Sequence, residues 1–592
     1  MPSRGCTAPV PERRPVIGML WGDFPWEEQG RKVGKLLSMG AVGRTVTRAL
    51  SATGQVLPYR PPPGSASPDA CRDALTSFLK RIDVLWGDVY AGTAPALQLR
   101  HDVGLSCPAI LFAGGAMPKA ADAMLFPWQH LLRPGDGLLF TSQADRAIWR
   151  RLVRWSALHE WVVPLAADET LFRPRAYDDR RAARARHGLP LEAPLLLCVG
   201  RLNIQKNLHS LLRLLATVRP EVPEAYLCFA GEEDDIVLGE FGVRNTGYVS
   251  ALHTLAAELG VAGAISFVGP VFGEDLARLY AAADVAVSAS FYHRENFGLA
   301  QVEAQACGVP VVCSSWGGFK DVVRHGETGF YMDAVLTRHG IRVDWATGAR
   351  YVLTLLVDSE RRARMGKQAA AWARERFSVA ALSQALARVV AEAGHPPDAA
   401  PGAGPAYEPS ESARRYEAHK RACGWYAPSP RAHNAASHTP WPLPETAPSL
   451  RTPKSAPAGT PRAYRPMFQG REYHLYERMM APYATRLARA LQPDDISPDW
   501  TPYFPSPVTL APIRMLAEAH DPVWPHRRVF RDPVSWAVLS HIDGAATVAE
   551  IAAAVEAEYS AADRATIIAA LWRLHVDGFI LFTGVIELPV AQ

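Results

Sequence analysis

Long apolar segments are absent from this sequence of 592 residues. No stretch approaches the roughly 18 uninterrupted apolar residues that a membrane-spanning helix needs, and the N-terminal residues show no apolar run of signal-peptide length. The sequence therefore predicts a chain without a transmembrane segment, and we expect it in the cytoplasm.

The cysteines also lack the spacing that is typical of a metal site. The eight cysteines form no CxxC pair, and several lie in apolar runs such as LLLCVG and AYLCFAG. Such cysteines are typical of buried thiols, which excludes a zinc finger and a disulfide-stapled fold.

A strong excess of charge is also missing, since the formal net charge is only +4. Electrostatics alone therefore predict no nucleic-acid partner.

Short strand-like runs alternate with longer helical patterns up to about residue 390. This alternation is typical of parallel sheets built from βαβ units. The predicted strands are 16–20, 84–86, 109–112, 138–141 and 161–164, then 195–199, 225–230, 265–268, 285–288 and 310–313. Two doubly wound α/β domains fit this pattern better than one, and we place them at 15–165 and 166–392.

The composition changes abruptly after the second domain. Residues 396–468 are rich in Pro, Ala, Ser and Gly, which predicts a semi-extended linker, because such a segment has too little apolar surface to fold. A helical segment is predicted at 469–500, and a small globular domain at 505–587.

Two glutamates bracket the predicted start of a helix in ENFGLAQVE. Glu295 and Glu303 are separated by seven residues, with Phe297, Gly298 and Leu299 between them. A helix that begins near Gly298 presents free N–H groups and its positive dipole end to the preceding loop, which suits a diphosphate. Eight helical positions span about 12 Å. One carboxylate can therefore hold a sugar on one side of the diphosphate, and the other a ribose on the opposite side.

Two further elements follow predicted strands. In CVGRLNIQKN, Arg201 and Lys206 come after a strand end, where parallel sheets bind ligands and where cations can neutralise a diphosphate. In CSSWGGFKDVV, Gly317 and Gly318 lack side chains, so that backbone can approach a ligand closely. Together with the two glutamates, these elements predict a donor site for a nucleotide-linked substrate.

These motifs together resemble the retaining glycosyltransferases of glycosyltransferase family 4. The family's Glu-x7-Glu element corresponds to ENFGLAQVE, its Gly-Arg and Lys-Asn element to GRLNIQKN, and its Gly-Gly element to GVPVVCSSWGG. FVGPVFGEDLARLYAAADVAVSAS and VVPLAADETLFRP are supporting matches. The resemblance covers about residues 15–392 and implies a GT-B fold, in which two Rossmann-like domains face a cleft.

The resemblance also implies roles for these residues. Arg201 and Lys206 would bind the donor phosphates, Glu295 the transferred sugar and Glu303 the nucleotide ribose, with the backbone of residues 297–299 completing the contacts. The nucleotide-diphosphate sugar is then a co-substrate, and neither a further cofactor nor a metal ion is expected. Catalysis would consist mainly of charge stabilisation of the departing nucleotide diphosphate, with the anomeric configuration retained.

The N-terminal half matches the family less closely. SMGAVGRTVTRAL offers Gly40 and Gly43 before a helix, as candidates for the family's glycine-rich loop, although later than usual after the first strand. Many relatives place a histidine near the sugar, and neither His101 nor His130 stands at the matching position. His293 precedes Glu295 and is a weaker candidate.

The C-terminal segment predicts a winged helix. The order is a strand, a helix, a turn, a second helix capped by Thr547 and a third helix before an apolar strand. WAVLSHIDGAATVAEIA and LWRLHVDGFI resemble PqqD-like domains, which bind precursor peptides. Leader-peptide binding, docking of another partner and DNA binding stay open, although the third helix has few cations for DNA.

Each residue also has a purely structural interpretation. The glutamates could lie on a solvated helix face, the cations in a surface loop, and the glycines in tight turns. We hypothesise a glycosyltransferase whose acceptor is a peptide or small molecule recruited by the C-terminal module. The alternatives are a nucleotide-sugar-dependent synthase or phosphorylase, and a degenerate GT-B protein that only binds.

Overall fold

The computed structural model describes most of the chain up to residue 397 and shorter parts beyond it. The described residues are 13–20, 37–63, 67–89, 93–114, 131–154, 158–203, 206–233, 248–291, 295–337, 340–397, 408–409, 486–488, 493–503, 533–542, 545–576, 580–582 and 587–589. Within these ranges, no helix combines the length and the apolar character that crossing a bilayer requires. The predicted linker 396–468 and helical segment 469–500 lie largely outside them.

The first domain is a parallel sheet flanked by helices. Its elements are β1 (Val16–Met19), α1 (Leu37–Thr53), β2 (Gln55–Pro58), α2 (Pro68–Leu79), β3 (Val84–Asp88), α3 (Ala94–Asp102), β4 (Ala109–Phe112), β5 (Gly137–Phe140), α4 (Gln143–Leu152), β6 (Val153–Arg154) and β7 (His159–Val162). Six of these strands form a sheet in the order β2-β1-β3-β4-β5-β7, with every pair parallel.

The second domain repeats this architecture. Its elements are α5 (Tyr177–Arg186), β8 (Leu195–Val199), α6 (Leu208–Val218), β9 (Tyr226–Ala230), α7 (Tyr248–Glu258), β10 (Ile265–Phe267), α8 (Gly273–Ala282), β11 (Val285–Ser288), α9 (Leu299–Ala306), β12 (Val311–Ser314), α10 (Phe319–Val322), β13 (Gly329–Met332), β14 (Ala334–Thr337), β15 (Gly340–Val343), α11 (Trp345–Val357), α12 (Ser359–Arg376) and α13 (Val379–Glu392). The order β10-β9-β8-β11-β12-β13 is again parallel. The two sheets confirm the predicted α/β fold with two Rossmann-like domains.

The central strands are apolar at nearly every position because helices cover both faces of each sheet. All four residues of β4 and of β5 are buried. Trp86, Phe140 and Trp149 are among the largest fully buried side chains of the first domain. Burying such side chains stabilises the fold by about 1.5 to 3 kcal/mol each, before conformational entropy is counted.

The last two helices of this region return the chain to the first domain. Ser378 caps the start of α13, where its Oγ accepts a hydrogen bond from the backbone N–H of Ala381 at 3.1 Å. The apolar residues Leu382, Leu386 and Val389 of α13 belong to the same core as α1, against which the helix packs. Two helices, α12 and α13, thus end the second domain, and they meet at residues 377–378.

The C-terminal part contains its own apolar core. Its elements are β16 (Glu408–Pro409), β17 (Arg486–Ala488), β18 (Pro502–Tyr503), α14 (Pro533–Ser540), α15 (Val548–Glu558), α16 (Arg564–Val576), β19 (Leu581–Phe582) and β20 (Glu587–Pro589). Val538, Ile551 and Leu571 pack together in this core. Thr547 caps α15 in a reciprocal capping box with Glu550, as predicted. The predicted strand near 526–531 and the turns at 543–544 and 577–578 lie outside the described residues.

Main-chain pairing joins this C-terminal part to the second domain. β14 and β15 form an antiparallel hairpin, β17 pairs with β14 in parallel, and β20 pairs antiparallel with β17. The resulting order is β15-β14-β17-β20. A hairpin of the second domain is thus the scaffold on which two C-terminal strands assemble.

Candidate donor site

The candidate site lies where neighbouring strands of the second sheet end. β8 and β11 are adjacent and parallel, so their carboxyl ends point to the same edge. Gly200 and Arg201 follow β8 directly, and Ser290 follows β11 by two residues. This edge brings together two loops that are remote in sequence.

Lys206 and Glu295 meet at this edge. The ammonium Nζ of Lys206 contacts Oε2 of Glu295. The side chains are 20% and 14% exposed, so the pair is largely shielded yet accessible. The hydroxyl of Ser290 also donates to Oε2 of Glu295, at 2.9 Å. The carboxylate is therefore oriented by a cation and a buried hydroxyl.

The loop that carries Lys206 is fixed from both sides. The backbone N–H of Lys206 donates to the carbonyl oxygen of Asn203 at 3.0 Å. Asn207 has a left-handed backbone with φ of 54°, and its Nδ2 donates to the carbonyl oxygen of Ala289 at 3.1 Å. A non-glycine residue tolerates this conformation only with local support, and asparagine does so most readily. The Asn207 side chain thus ties the lysine loop to the end of β11.

Gly298 is the N-cap residue of α9, the helix that follows Glu295. Its φ is +104°, and a Cβ at this position would lie 2.6 Å from Cδ1 of Phe319. Both the conformation and the packing require glycine here. Phe297, just before it, is 2% exposed and belongs to the core, whereas Leu299 is the first helical residue. These three residues set the direction of the helix start.

Gly317 and Gly318 let two loops pack together. Gly317 has a φ of +54°. A Cβ on Gly318 would lie 2.3 Å from the carbonyl oxygen of Asn296, and the backbone N–H of Gly318 donates to the carbonyl oxygen of Glu295 at 3.0 Å. The space beside Gly318 is thus filled by the glutamate loop.

Glu303 lies on α9 but is turned into the interior. The residue is 9% exposed, and its Oε2 accepts a hydrogen bond from the hydroxyl of Tyr280 on α8 at 3.1 Å. Burial raises the pKa of Glu303 to about 8, against a lowering effect of the Tyr280 hydrogen bond. The structure therefore joins Glu295 to Lys206, and Glu303 to Tyr280.

The described first-domain candidates lie within helices and not in a glycine-rich loop. Gly40 and Gly43 are buried residues within α1, and neither is among the described glycines with positive φ. A Cβ at Gly40 would lie 3.6 Å from Nη1 of Arg44, an ordinary contact distance. His101 is exposed near the end of α3, and His130 and His293 lie outside the described residues.

Sequence reasoning missed Ser290 and Tyr280, the partners of the two glutamates. Ser290 could have been found, because a polar residue directly after a predicted strand lies at the ligand edge of a parallel sheet. Tyr280 carries no comparable signal, since a tyrosine within an apolar helix usually belongs to the core.

Among the described residues, no three His, Cys, Asp or Glu side chains are grouped so as to hold a metal ion.

Residues 179–372 match the family model described as Glycosyl transferases group 1. This range contains the predicted donor-site residues from Arg201 to Gly318. The second domain is thus similar to the group 1 glycosyl transferases, which agrees with the resemblance seen in its motifs.

Similar proteins include D-inositol 3-phosphate glycosyltransferases. The protein of Stackebrandtia nassauensis is 33% identical over 237 residues, which cover 40% of this chain and 50% of that protein. The protein of Thermobispora bispora is 37% identical over 234 residues, which cover 39% of this chain and 50% of that protein. The chain thus spans about half the length of these curated relatives.

Solved structures with a similar fold include Anabaena Alr3699/HepE in complex with UDP, at 19% identity and a TM-score of 0.48. The similarity covers 64% of this chain and 99% of that one. Sucrose-phosphate synthase from Thermosynechococcus elongatus has 21% identity and a TM-score of 0.45, with the same coverage of 64% and 99%.

Proposed function

We propose that the chain transfers a sugar from a nucleotide-diphosphate sugar to an acceptor, without a bound metal ion and with retention of the anomeric configuration. The observation that carries this proposal is the contact between Lys206 and Glu295 at the ligand edge of the second sheet. Both residues lie within the range that matches the glycosyl transferase family.

The proposed chemistry follows from charge. When the bond between the sugar and the diphosphate breaks, negative charge grows on the leaving phosphate and positive charge on the sugar. Lys206 and Arg201 would stabilise the negative charge on the leaving phosphate. The Glu295 carboxylate would lie beside the positive charge on the sugar. Such preorganised groups lower a barrier because they need no reorientation as the charge develops. Glu303 would contact the nucleotide ribose from inside the domain.

Two classes of acceptor are candidates for the transfer. The similar proteins are named for D-inositol 3-phosphate, which makes an inositol phosphate one candidate. A peptide or small molecule recruited by the C-terminal module is the other candidate. Support for a recruiting role comes from the separate apolar core of that module and from β20 at its end, which pairs with β17, the strand that pairs with β14 of the second domain.

The test is a nucleotide-sugar panel. The purified 592-residue protein is incubated with UDP-, GDP- and ADP-linked sugars, with and without inositol 3-phosphate, and nucleotide diphosphate release is measured. We expect slow hydrolysis of one donor and faster release with a suitable acceptor. The control pair is Lys206→Ala, expected to lower the release rate on the order of a hundredfold, and Lys367→Ala, which replaces an exposed lysine on α12 and should leave the rate unchanged. Nucleotide binding without turnover of any donor would favour the degenerate binding protein.

A further inference from the structure

The residue after Glu295 is held by the first domain. The hydroxyl of Thr141 donates to the backbone carbonyl oxygen of Asn296 at 3.2 Å, and Nδ2 of Asn296 donates to Oγ1 of Thr141 at 2.8 Å. Thr141 directly follows β5 and is fully buried. The two residues are 155 positions apart in the chain. This reciprocal pair therefore crosses from one domain to the other.

The neighbours of Asn296 are fixed within the second domain. The carboxylate of Glu295 contacts Lys206, and its carbonyl oxygen accepts from the backbone of Gly318. The ring of Phe297 packs edge-on against Phe377, with 5.8 Å between centroids. The peptide units on either side of Asn296 thus belong to the donor site, while Asn296 itself carries the contact to the first domain.

Other contacts anchor the same interface without Thr141. The backbone N–H of Gln143 donates to Oδ2 of Asp321 at 2.5 Å. Trp316, from the second domain, is fully buried and belongs to the core cluster that contains Phe140 and Trp149 of the first domain. Because a large buried ring holds the domains together here, loss of one hydroxyl should leave them docked.

We propose that Thr141 is a positioning residue that acts through Asn296 on Glu295. This inference rests on the proposed function. Two hydrogen bonds on Asn296 restrict the backbone torsions that join it to Glu295, and these torsions set the direction of the carboxylate. A group displaced by about 1 Å from its productive position can lose on the order of a hundredfold in rate. An indirect restraint of this kind should contribute less, about tenfold.

The variants are chosen to distinguish loss of the Thr141 hydroxyl from a change in side-chain volume. Thr141→Val removes the hydroxyl at similar volume, and Thr141→Ser keeps it. Thr328→Val is the matched control, since Thr328 is 2% exposed and its Oγ1 accepts from the backbone of Arg324 at 3.0 Å within the second domain. We expect Thr141→Val to lower kcat about tenfold with the donor KM within twofold. Thr141→Ser and Thr328→Val should stay near the wild-type kcat.

A double variant tests the route through Asn296. If Thr141 acts through Asn296, the combined Thr141→Val and Asn296→Ala protein should be no slower than Thr141→Val alone. Losses that multiply would overturn the proposed route, because the two residues would then act independently.

A second readout does not depend on activity. Hydrogen exchange of peptides covering residues 295–306 should be faster in Thr141→Val than in the wild type, and unchanged in Thr328→Val. Unchanged exchange in Thr141→Val overturns the proposal, as does faster exchange with a normal kcat. If the wild type turns over no donor in the panel, the proposed function fails, and the exchange result alone decides whether Thr141 restrains this segment.

Discussion

Tyr280 donates its phenolic hydroxyl to Oε2 of Glu303 at 3.1 Å in the interior of the second domain. Tyr280 is 1% exposed, and burial raises its pKa well above the usual value, as it raises that of Glu303. With a pKa of about 8, Glu303 is mostly protonated in the folded protein at neutral pH. A neutral carboxyl in this place gives the stability of the protein a pH dependence.

Glu303→Gln should therefore change the stability in a pH-dependent way. Because the folded pKa is raised from 4.5 to about 8, the carboxyl group contributes its full stability below pH 4.5 and loses it as the pH rises to about 8. The loss is about 1.4 kcal/mol per pH unit for one proton. From pH 6 to pH 9, the melting temperature of the wild type should decrease by more than that of Glu303→Gln. Glu375→Gln, on the exposed side of α12, is the control, and parallel curves for all three proteins would contradict the raised pKa.

The two glutamates should differ in their effects on binding and turnover. A ribose contact is present in both ground and transition states, whereas a contact to the transferred sugar changes during the reaction. Glu303→Gln should mainly weaken nucleotide binding, and Glu295→Gln should mainly lower kcat. Calorimetry with UDP, GDP and ADP measures the first effect, and initial rates measure the second. Unchanged nucleotide affinity in Glu303→Gln would argue against the ribose role.

Removing a cation should slow the reaction strongly. Arg201→Ala and Lys206→Ala are each expected to lower kcat on the order of a hundredfold, the scale for loss of one preorganised charge stabiliser. Initial rates with the active donor measure this loss, alongside Lys367→Ala as the control. Wild-type rates in either variant would remove that residue from the phosphate site.

Chelation should leave the activity intact. The proposed site relies on Arg201 and Lys206 for positive charge, so that the proposed mechanism needs no metal ion to neutralise the diphosphate. Rates before and after EDTA treatment should agree. Loss of activity that magnesium or manganese restores would require a different mechanism.

The C-terminal module should affect the acceptor and not the donor. A chain that ends at residue 488 retains β17, which pairs with the hairpin of the second domain, but lacks the apolar core of the module. We expect near-normal donor hydrolysis and a raised acceptor KM for transfer. Equal loss of hydrolysis and transfer would indicate a structural role, and tight binding of duplex DNA by the full chain would favour a regulatory one.

The strands that sequence patterns predicted well are the buried ones. AILF, LLLCV and VAVS are apolar runs, and β4, β8 and β11 begin and end where the sequence predicts. β2 escaped prediction because it is an edge strand, partly exposed and followed by prolines. β13 was missed because GFYM alternates little and begins with glycine.

The site could be predicted only in part. Spacing and strand ends pointed to Lys206 and Glu295, but not to the contact between them or to Ser290 as a third partner. The pairing of Thr141 with Asn296 depends on how two domains dock, and no local pattern encodes that geometry. The burial of Glu303 depends similarly on the packing of α8 against α9, which helical spacing alone does not specify.

The hairpin of β14 and β15 also has a consequence for where the chain can be cut. An open strand edge offers unpaired N–H and C=O groups to any other extended chain. If the protein is shortened to end near residue 390, β17 and β20 are lost and one side of β14 becomes such an edge. We expect that shortened protein to self-associate at concentrations at which the 592-residue chain, whose β17 and β20 cover β14, does not, and light scattering would distinguish the two. On this expectation the C-terminal strands protect the second domain from aggregation, whatever the module recruits.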